Sequence, residues 1–314
     1  MIRLGIDAMG GDYAPRAVVL GAIEAYRGGM QSRIVLFGDK AAIEEVISEE
    51  GCEADAFDIV PTSDVITMSD HPAQAFKNKP DSSIAVGFGY LKAGKIDCFA
   101  SAGSTGAMLV GSMYTVKPIE GIIRPVISSH IPTADGKTAL ILDVGLNVDC
   151  RPDVLFQYGI MGDIYAKNVL GIECPRVGLL NIGEEKEKGN LISKAAYELM
   201  ENNGKYDFVG NVEGKHLFTG KVADVIVCDG FVGNVVLKQA ESFYVIMQKM
   251  GIPSNKFLDG LNYEFVGGTP VLGVNANVII GHGCSGPKAI RSMIEQSERT
   301  VKAHLVEKFR VALQ

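Results

Sequence analysis

The chain has 314 residues, 47% of them apolar and 21% charged, the balance of a globular protein with a large core. Its net charge of −7 argues against general nucleic-acid binding, and no apolar run reaches the ~18 residues that a helical membrane span needs. Six scattered cysteines lack CxxC or metal-ligand spacing and read as reduced thiols, so neither a disulfide framework nor a metal site is expected.

Residues 2–7 read as a strand, and Pro15 suits the first position of a helix reaching Arg27. Residues 33–37 form a second strand, 40–50 a second helix and 57–61 a short strand. The stretch 69–80 is polar and reads as irregular. A helix over 82–93 ends near Gly94, a strand spans 96–101, and a helix follows over 105–114. Strands over 125–130 and 137–144 are joined by a tight turn, so they must run antiparallel and make the sheet mixed. Next come a helix over 152–168, a strand over 176–181, a helix over 189–201 and strands over 207–211 and 223–228. Residues 235–249 are amphipathic, with Val236, Ala240, Phe243, Tyr244 and Met247 on one face and Asn234 as the expected N-cap. Residues 252–269 are the least regular and carry Phe257, Leu258 and Leu261, read as exposed. A strand over 278–282 and one long helix over 287–313 close the chain. No repeat or linker divides it, so a single α/β domain over 1–314 is expected, with a mostly parallel sheet and helices on both faces.

Six of the apolar runs stop at short turns of Gly, Asp, Asn, Ser or Thr. In an open α/β sheet, ligands bind outside the carboxyl ends of the strands, and small turns with unpaired N–H groups suit one anionic, phosphate-like ligand. Gly makes up 37 of the 314 residues, above the usual ~7%, and the excess falls mostly in these turns.

The first turn, Asp7 to Asp12, pairs Gly10 with Gly11 and allows close backbone approach. It is not GxGxxG, so a dinucleotide fingerprint is not supported. The turn SAGSTG places Ser104, Thr105 and Gly106 at a helix start, either as a phosphate cradle or simply as a hydroxyl cap. It is not a P-loop. Asp143 and Asn147 in DVGLN, and Asn181 in NIGEE, put carboxylate and amide groups at strand ends. Lys188 precedes Gly189; it either neutralises phosphate or a developing oxyanion, or belongs to a solvated EEKEK run. Asp229 and Asn234 bracket another glycine-rich turn. His282 lies between two glycines at a strand end, where it can take a proton or, charged, bind phosphate. Cys284 is a nucleophile by type only.

Taken in order, these motifs resemble the PlsX-type phosphate acyltransferases of bacterial phospholipid synthesis. The resemblance rests on DAMGGD, KNKPDSS, SAGSTGA, LDVGLNVDCRPDVLFQYGIMG, RVGLLNIGEEKEKGN, FVGNVEGK, ADVIVCDGFVGNVVLK, GGTPVLG and GHGCSGPKAI, and it covers nearly the whole chain. It implies a Rossmann-like three-layer α/β/α fold with a mostly parallel mixed sheet, as in phosphotransacetylases and isopropylmalate dehydrogenases. It also implies a homodimer without a cofactor. The implied reaction moves a fatty acyl chain from acyl-acyl carrier protein to inorganic phosphate; the acyl phosphate then serves a membrane glycerol-3-phosphate acyltransferase.

On that reading Ser104 and Thr105 hold phosphate with the Gly10, Gly11 and Gly106 backbone. Lys188 and His282 serve the oxyanion and phosphate, and Asn147, Asn181 and Asn234 orient substrate. Asp7, Asp143 and Asp229 fix the loops. An acidic carrier protein calls for a basic docking patch, for which Lys77, Lys79, Lys92, Lys95 and Arg124 are the candidates. The chain departs from the family pattern at Leu146, where Ala is usual, at Ser104, where Asn is usual, and in 252–269, which replaces a longer helical hairpin associated with dimer and membrane contacts. The expected location is cytoplasmic, with at most a peripheral contact at the inner face of the membrane. Three alternatives remain at this stage. One is a phosphotransacetylase-like enzyme using acyl-coenzyme A. Another is an isopropylmalate-dehydrogenase-like oxidoreductase, for which nicotinamide-site and metal-carboxylate spacings are missing. The third is a non-catalytic acyl-carrier-binding or structural partner, which would not need phosphate-cradling turns.

Overall fold

The computed structural model describes residues 1–202, 204–262 and 267–313. In chain order the strands are β1 (Arg3–Asp7), β2 (Arg33–Gly38), β3 (Asp58–Pro61), β4 (Cys98–Ser101), β5 (Val126–Pro132), β6 (Thr138–Leu142), β7 (Arg176–Asn181), β8 (Asp207–Glu213), β9 (Val225–Val227), β10 (Thr269–Leu272) and β11 (Asn277–Ile280). The first helices are α1 (Arg16–Arg27), α2 (Lys40–Glu49), α3 (Pro72–Asn78), α4 (Ser83–Lys92) and α5 (Thr105–Val110). They are followed by α6 (Pro152–Asn168), α7 (Leu191–Glu201), α8 (Gly230–Lys249), α9 (Lys256–Gly260), α10 (Pro287–Lys302) and α11 (Leu305–Ala312).

The chain groups into two compact units, Met1–Pro118 with Tyr263–Val306, and Ile119–Asn262 with Glu307–Gln314. In the first unit the strand order is β3-β2-β1-β4-β11-β10, parallel throughout except for the β10–β11 pair. Strand side chains alternate between faces. Leu4, Ile6, Leu36, Ala100 and Ile279 therefore join α1, α2 and α10 in one core. Gly5 faces the other way, toward Phe37 and Phe99, and the ring of Phe99 meets Phe88 of α4 edge to face at 5.3 Å. This unit is thus a three-layer α/β/α sandwich.

In the second unit the order is β5-β6-β9-β7-β8, with the expected antiparallel β5–β6 hairpin and parallel pairs beyond it. Helix α6 packs on β6, β7 and β9, and α7 packs on α6. Polar caps set the helix starts: Asp39 accepts from the Ala41 and Ala42 N–H groups, Ser82 from Ala85 and Asn190 from Ser193.

Several elements differ from expectation. Residues 72–78, read as irregular, form α3; Pro72 occupies its first turn, where the missing N–H costs nothing. Helix α8 starts at Gly230, and its N-cap is Asp229, which accepts from Val232 N at 2.8 Å. Asn234 therefore lies inside the helix rather than capping it. The helix over 105–114 ends at Val110, and a π-helical turn, Gly111–Val116, takes over where the Phe88 ring packs against Gly111. Strand β10 was not anticipated. The closing helix breaks between Lys302 and Leu305, where His304 adopts a φ of 51°.

Leu258 and Leu261, read as exposed, are buried beside Ala240, with Phe218, Tyr244, Met247 and Phe257 packed against them. They anchor α9 instead of forming an apolar tip. Residues 263–266 of the segment 252–269 lie outside the described residues. Cys98, Cys150 and Cys228 are buried thiols, and Cys174 and Cys284 are exposed ones.

Candidate active site

The carboxyl ends of three neighbouring strands meet in the first unit. Asp7, at the end of β1, is buried and accepts from Ser101 Oγ at 2.5 Å and from the Met9 N–H at 3.1 Å. Burial raises its pKa, while hydrogen bonds from Ser101, Ser83 and Met9 pull it back. The Gly103 N–H also donates to Ser101 Oγ, at 2.9 Å. A methyl group on Gly10 would press into the Asp7 carboxylate and lie 2.7 Å from Gly103 N, so only glycine fits there. The Asp12 N–H donates to Gly283 O at 2.7 Å and the Gly281 N–H to Ser101 O at 2.8 Å. These bonds lace the turns after β1, β4 and β11 together. Ser104 is buried and caps α5 through Ala107 N, Thr105 is exposed, and His282 is half-buried on the third turn.

A second set of turns lies in the second unit. Asp143, after β6, is buried and accepts from the N–H groups of Gly145, Leu146 and Asn147 and from Asn147 Nδ2, at 2.6–3.1 Å. Burial raises its pKa and these four bonds oppose the rise. It fastens the loop, as expected. The Asn147 amide also donates to Pro125 O at 2.8 Å, so both of its N–H groups are engaged within the protein. After β9, the Gly230 N–H donates to Asn147 O at 2.7 Å, joining the two turns.

Asn181, after β7, donates to Asn211 Oδ1 at 3.0 Å and to Lys188 O at 3.2 Å, and accepts from the Ile182 N–H at 2.8 Å. Asn211 in turn donates to Glu185 O at 2.8 Å. This pair shapes the 182–189 loop. Asn211 went unnoticed in the sequence, although it stands in FVGNVEGK. The three asparagines thus divide. Asn147 and Asn181 hold loops, while the exposed Asn234 packs over Gly145 and, among the described residues, leaves its amide without a hydrogen bond.

Lys188 is exposed, and among the described residues its ammonium has no carboxylate within 4.0 Å. Its neighbour Lys186 pairs with Glu201, and Lys215 pairs with Glu184 and Glu213. The run is therefore not uniformly a self-neutralised surface.

Beside these turns the second unit holds a cavity of about 750 Å³. Leu155, Leu179, Leu217, Cys150 and Cys228 line its buried part, with Asn181, Asn190 and Asp229 among its polar lining. Burial pushes the Cys150 thiol up to about 11 and raises Cys228 well above its ordinary value, so neither is poised as a thiolate nucleophile. Among the described residues no group of His, Cys, Asp and Glu is placed to hold a metal.

Within the first unit the basic candidates are spread over α3 and α4. Lys77 is exposed in the last turn of α3, which precedes α4 in the chain; Ser83 at the start of α4 reaches Asp7, whereas Lys92 and Lys95 lie at the far end of α4. Ten helical residues, roughly 15 Å, separate the two ends. Lys95 lies over the Tyr90 ring at 4.7 Å, and Arg124, in the second unit, reaches Asp149 O at 3.4 Å. Lys79 is half-buried, paired with Asp70 at 2.7 Å and bonded to Val65 O at 2.9 Å, so it holds a turn.

The Lys79 ammonium and the Thr67 N–H and O–H hold the Asp70 carboxyl down at about 2, below its ordinary 3.8. A carboxyl lowered by folding stabilises the fold above its unfolded value, and the contribution is lost as pH falls through the folded one. Between about pH 4 and about pH 2, stability of Asp70→Asn is expected to fall less steeply than that of the parent, as read by urea denaturation at each pH.

In each unit, glycine-, asparagine- and serine-bearing turns follow the carboxyl ends of mostly parallel strands, the arrangement of a Rossmann-like α/β protein. The fold matches a phosphotransacetylase from Streptococcus pyogenes with a TM-score of 0.68 at 16% identity, covering 98% of this chain and 94% of that one. It matches the EutD phosphotransacetylase from Staphylococcus aureus with a TM-score of 0.66 at 13% identity, over 96% and 94%.

In sequence, the phosphate acyltransferase of Caldicellulosiruptor bescii is 42% identical over 315 residues, covering 95% of this chain and 94% of the relative. That of Pelotomaculum thermopropionicum is 42% identical over 334 residues, covering 100% and 95%. The model of the fatty acid synthesis protein family matches residues 2–308. The chain belongs to this family, together with the phosphate acyltransferases.

Proposed function

We propose that the protein transfers a fatty acyl chain from acyl-acyl carrier protein to inorganic phosphate, giving an acyl phosphate for phospholipid synthesis. The observation that carries this is the Asp143-fastened turn set of the second unit, which leaves the Asn234 amide and the Lys188 ammonium unpaired among the described residues. A phosphate oxygen attacks the thioester carbonyl, the tetrahedral oxyanion collapses, and the carrier thiolate leaves. With a thiol pKa of about 8.5 that leaving group needs little acid help.

Phosphate is itself the nucleophile, so the work of the protein is positioning and charge stabilisation. Lys188 and Asn234 meet the oxyanion or phosphate. Taken by itself, the first unit has an anion-holding set of turns of its own, in Gly10, Gly11, Ser104, Thr105, Gly106 and His282. Asp7, Asp143 and Asp229, with Asn147 and Asn181, keep the turns in shape.

The carrier protein is acidic, and each unit offers an exposed cation proposed to meet it by itself, Lys77 on the first or Arg124 on the second. A second copy of this chain is proposed to cover the exposed apolar side of α8, where Phe243, Ile246 and Met250 are 47–71% exposed. Work in the cytoplasm fits, and among the described residues no helix is long and apolar enough to cross a membrane. The experiment compares palmitoyl-acyl carrier protein with palmitoyl-coenzyme A as donors at saturating phosphate. A higher kcat/KM with the carrier protein is expected. An equal or higher value with coenzyme A would move the reading to a phosphotransacetylase-like enzyme.

A further inference from the structure

We infer that the cavity of the second unit is the acyl-chain site and that Leu217 and Val236 limit the length of chain it accepts. The inference rests on the proposed acyl transfer and deepens it. The volume, about 750 Å³, lies within the roughly 300–1,000 Å³ of small-ligand sites. Its buried lining is hydrocarbon and protonated thiol: Leu155, Leu179 and Leu217 are 2–4% exposed, and Cys150 and Cys228 are buried beside them. Two carboxylates stand on the same lining, outside its buried apolar part. Asp149 is exposed, and Asp229 is engaged in capping α8.

A polymethylene chain needs dry walls and no hydrogen-bond partners. A nucleotide, or an amide-bearing carrier arm, would leave polar groups unsatisfied against the buried Leu155, Leu179 and Leu217, whereas Asn181, Asn190 and Ser193 stand elsewhere on the lining. The solvent side of the cavity carries apolar side chains that water gains nothing by touching, with Ile182 81% and Val148 56% exposed. Asn181, Asn190 and Gly189 lie on the lining with them. A chain entering from the Ile182 side would leave its carbonyl end near the loop that carries Lys188. Val236 projects from α8 into the lining, and Leu217 comes from the turn after β8.

Two variants test the assignment in opposite directions: Val236→Phe narrows the cavity and Leu217→Ala widens it. The quantity read is the ratio of kcat/KM for palmitoyl-acyl carrier protein to that for octanoyl-acyl carrier protein. Both substrates meet the same preparation, so any loss of folded protein cancels. Val236→Phe is expected to lower the ratio roughly tenfold or more, and Leu217→Ala to raise it. A ratio within about twofold of the parent in either active variant overturns the assignment. Absence of phosphate-dependent thiol release by the parent with both chains would instead defeat the proposed acyl transfer.

Discussion

Lys188→Ala is expected to lower kcat/KM by about 10²–10³-fold, the loss typical when one donor to a developing oxyanion is removed. The backbone around Lys188 is held without its side chain. The Lys188 N–H donates to Glu185 O at 3.1 Å, and Lys188 O accepts from Asn181 Nδ2 at 3.2 Å. The aliphatic stem lies across Gly183, and the ammonium stands in solvent. Truncation should therefore shift stability by no more than about 0.5 kcal/mol, as at other surface sites. Lys186→Ala is the matched control, because Lys186 is already paired with Glu201. The check is steady-state kinetics beside urea denaturation of both variants. Full turnover in Lys188→Ala would remove Lys188 from the mechanism.

Gly233→Ala is expected to destabilise by about 3 kcal/mol or more, at the top of the range for overpacking a close-fitted site. A methyl group there would press inside the van der Waals contact of the Asp143 carbonyl oxygen and lie 2.9 Å from Cys228 Sγ. Backbone must move to admit it, and the backbone in question joins the turns after β6 and β9. The same exchange at Gly89, inside α4, meets nothing within 4 Å and should stabilise by about 0.4–1 kcal/mol through a less disordered unfolded chain. Urea denaturation of the two variants side by side reads this difference in sign. A neutral Gly233→Ala would mean that the turns are not held as tightly as their hydrogen bonds imply.

Most of the fold was legible because alternation and helical periodicity are local. The exceptions have local causes too. Pro72 reads as a breaker although it fits a first helical turn, and Pro270 with two preceding glycines hides β10. Asn234 looked like a cap because the glycines before it hid the first turn of α8, which Asp229 starts.

The site was legible as a set of turn compositions but not as a division of labour. Whether an asparagine amide is engaged depends on partners far away in sequence: Pro125 for Asn147, and Asn211 for Asn181. The cavity was hidden for the same reason, since separate strands, helices and loops supply its lining. The spread of the lysines is equally non-local, because Lys92 and Lys95 stand at the far end of α4 and Lys79 is drawn into a pair with Asp70.

Phosphate-dependent cleavage of palmitoyl-acyl carrier protein tests the central claim most directly, followed as free thiol and as hydroxylamine-trapped acyl group. The account predicts thiol and hydroxamate in equal amounts, both dependent on inorganic phosphate. Thiol release that is independent of phosphate and yields free fatty acid, or no release at all, would contradict it.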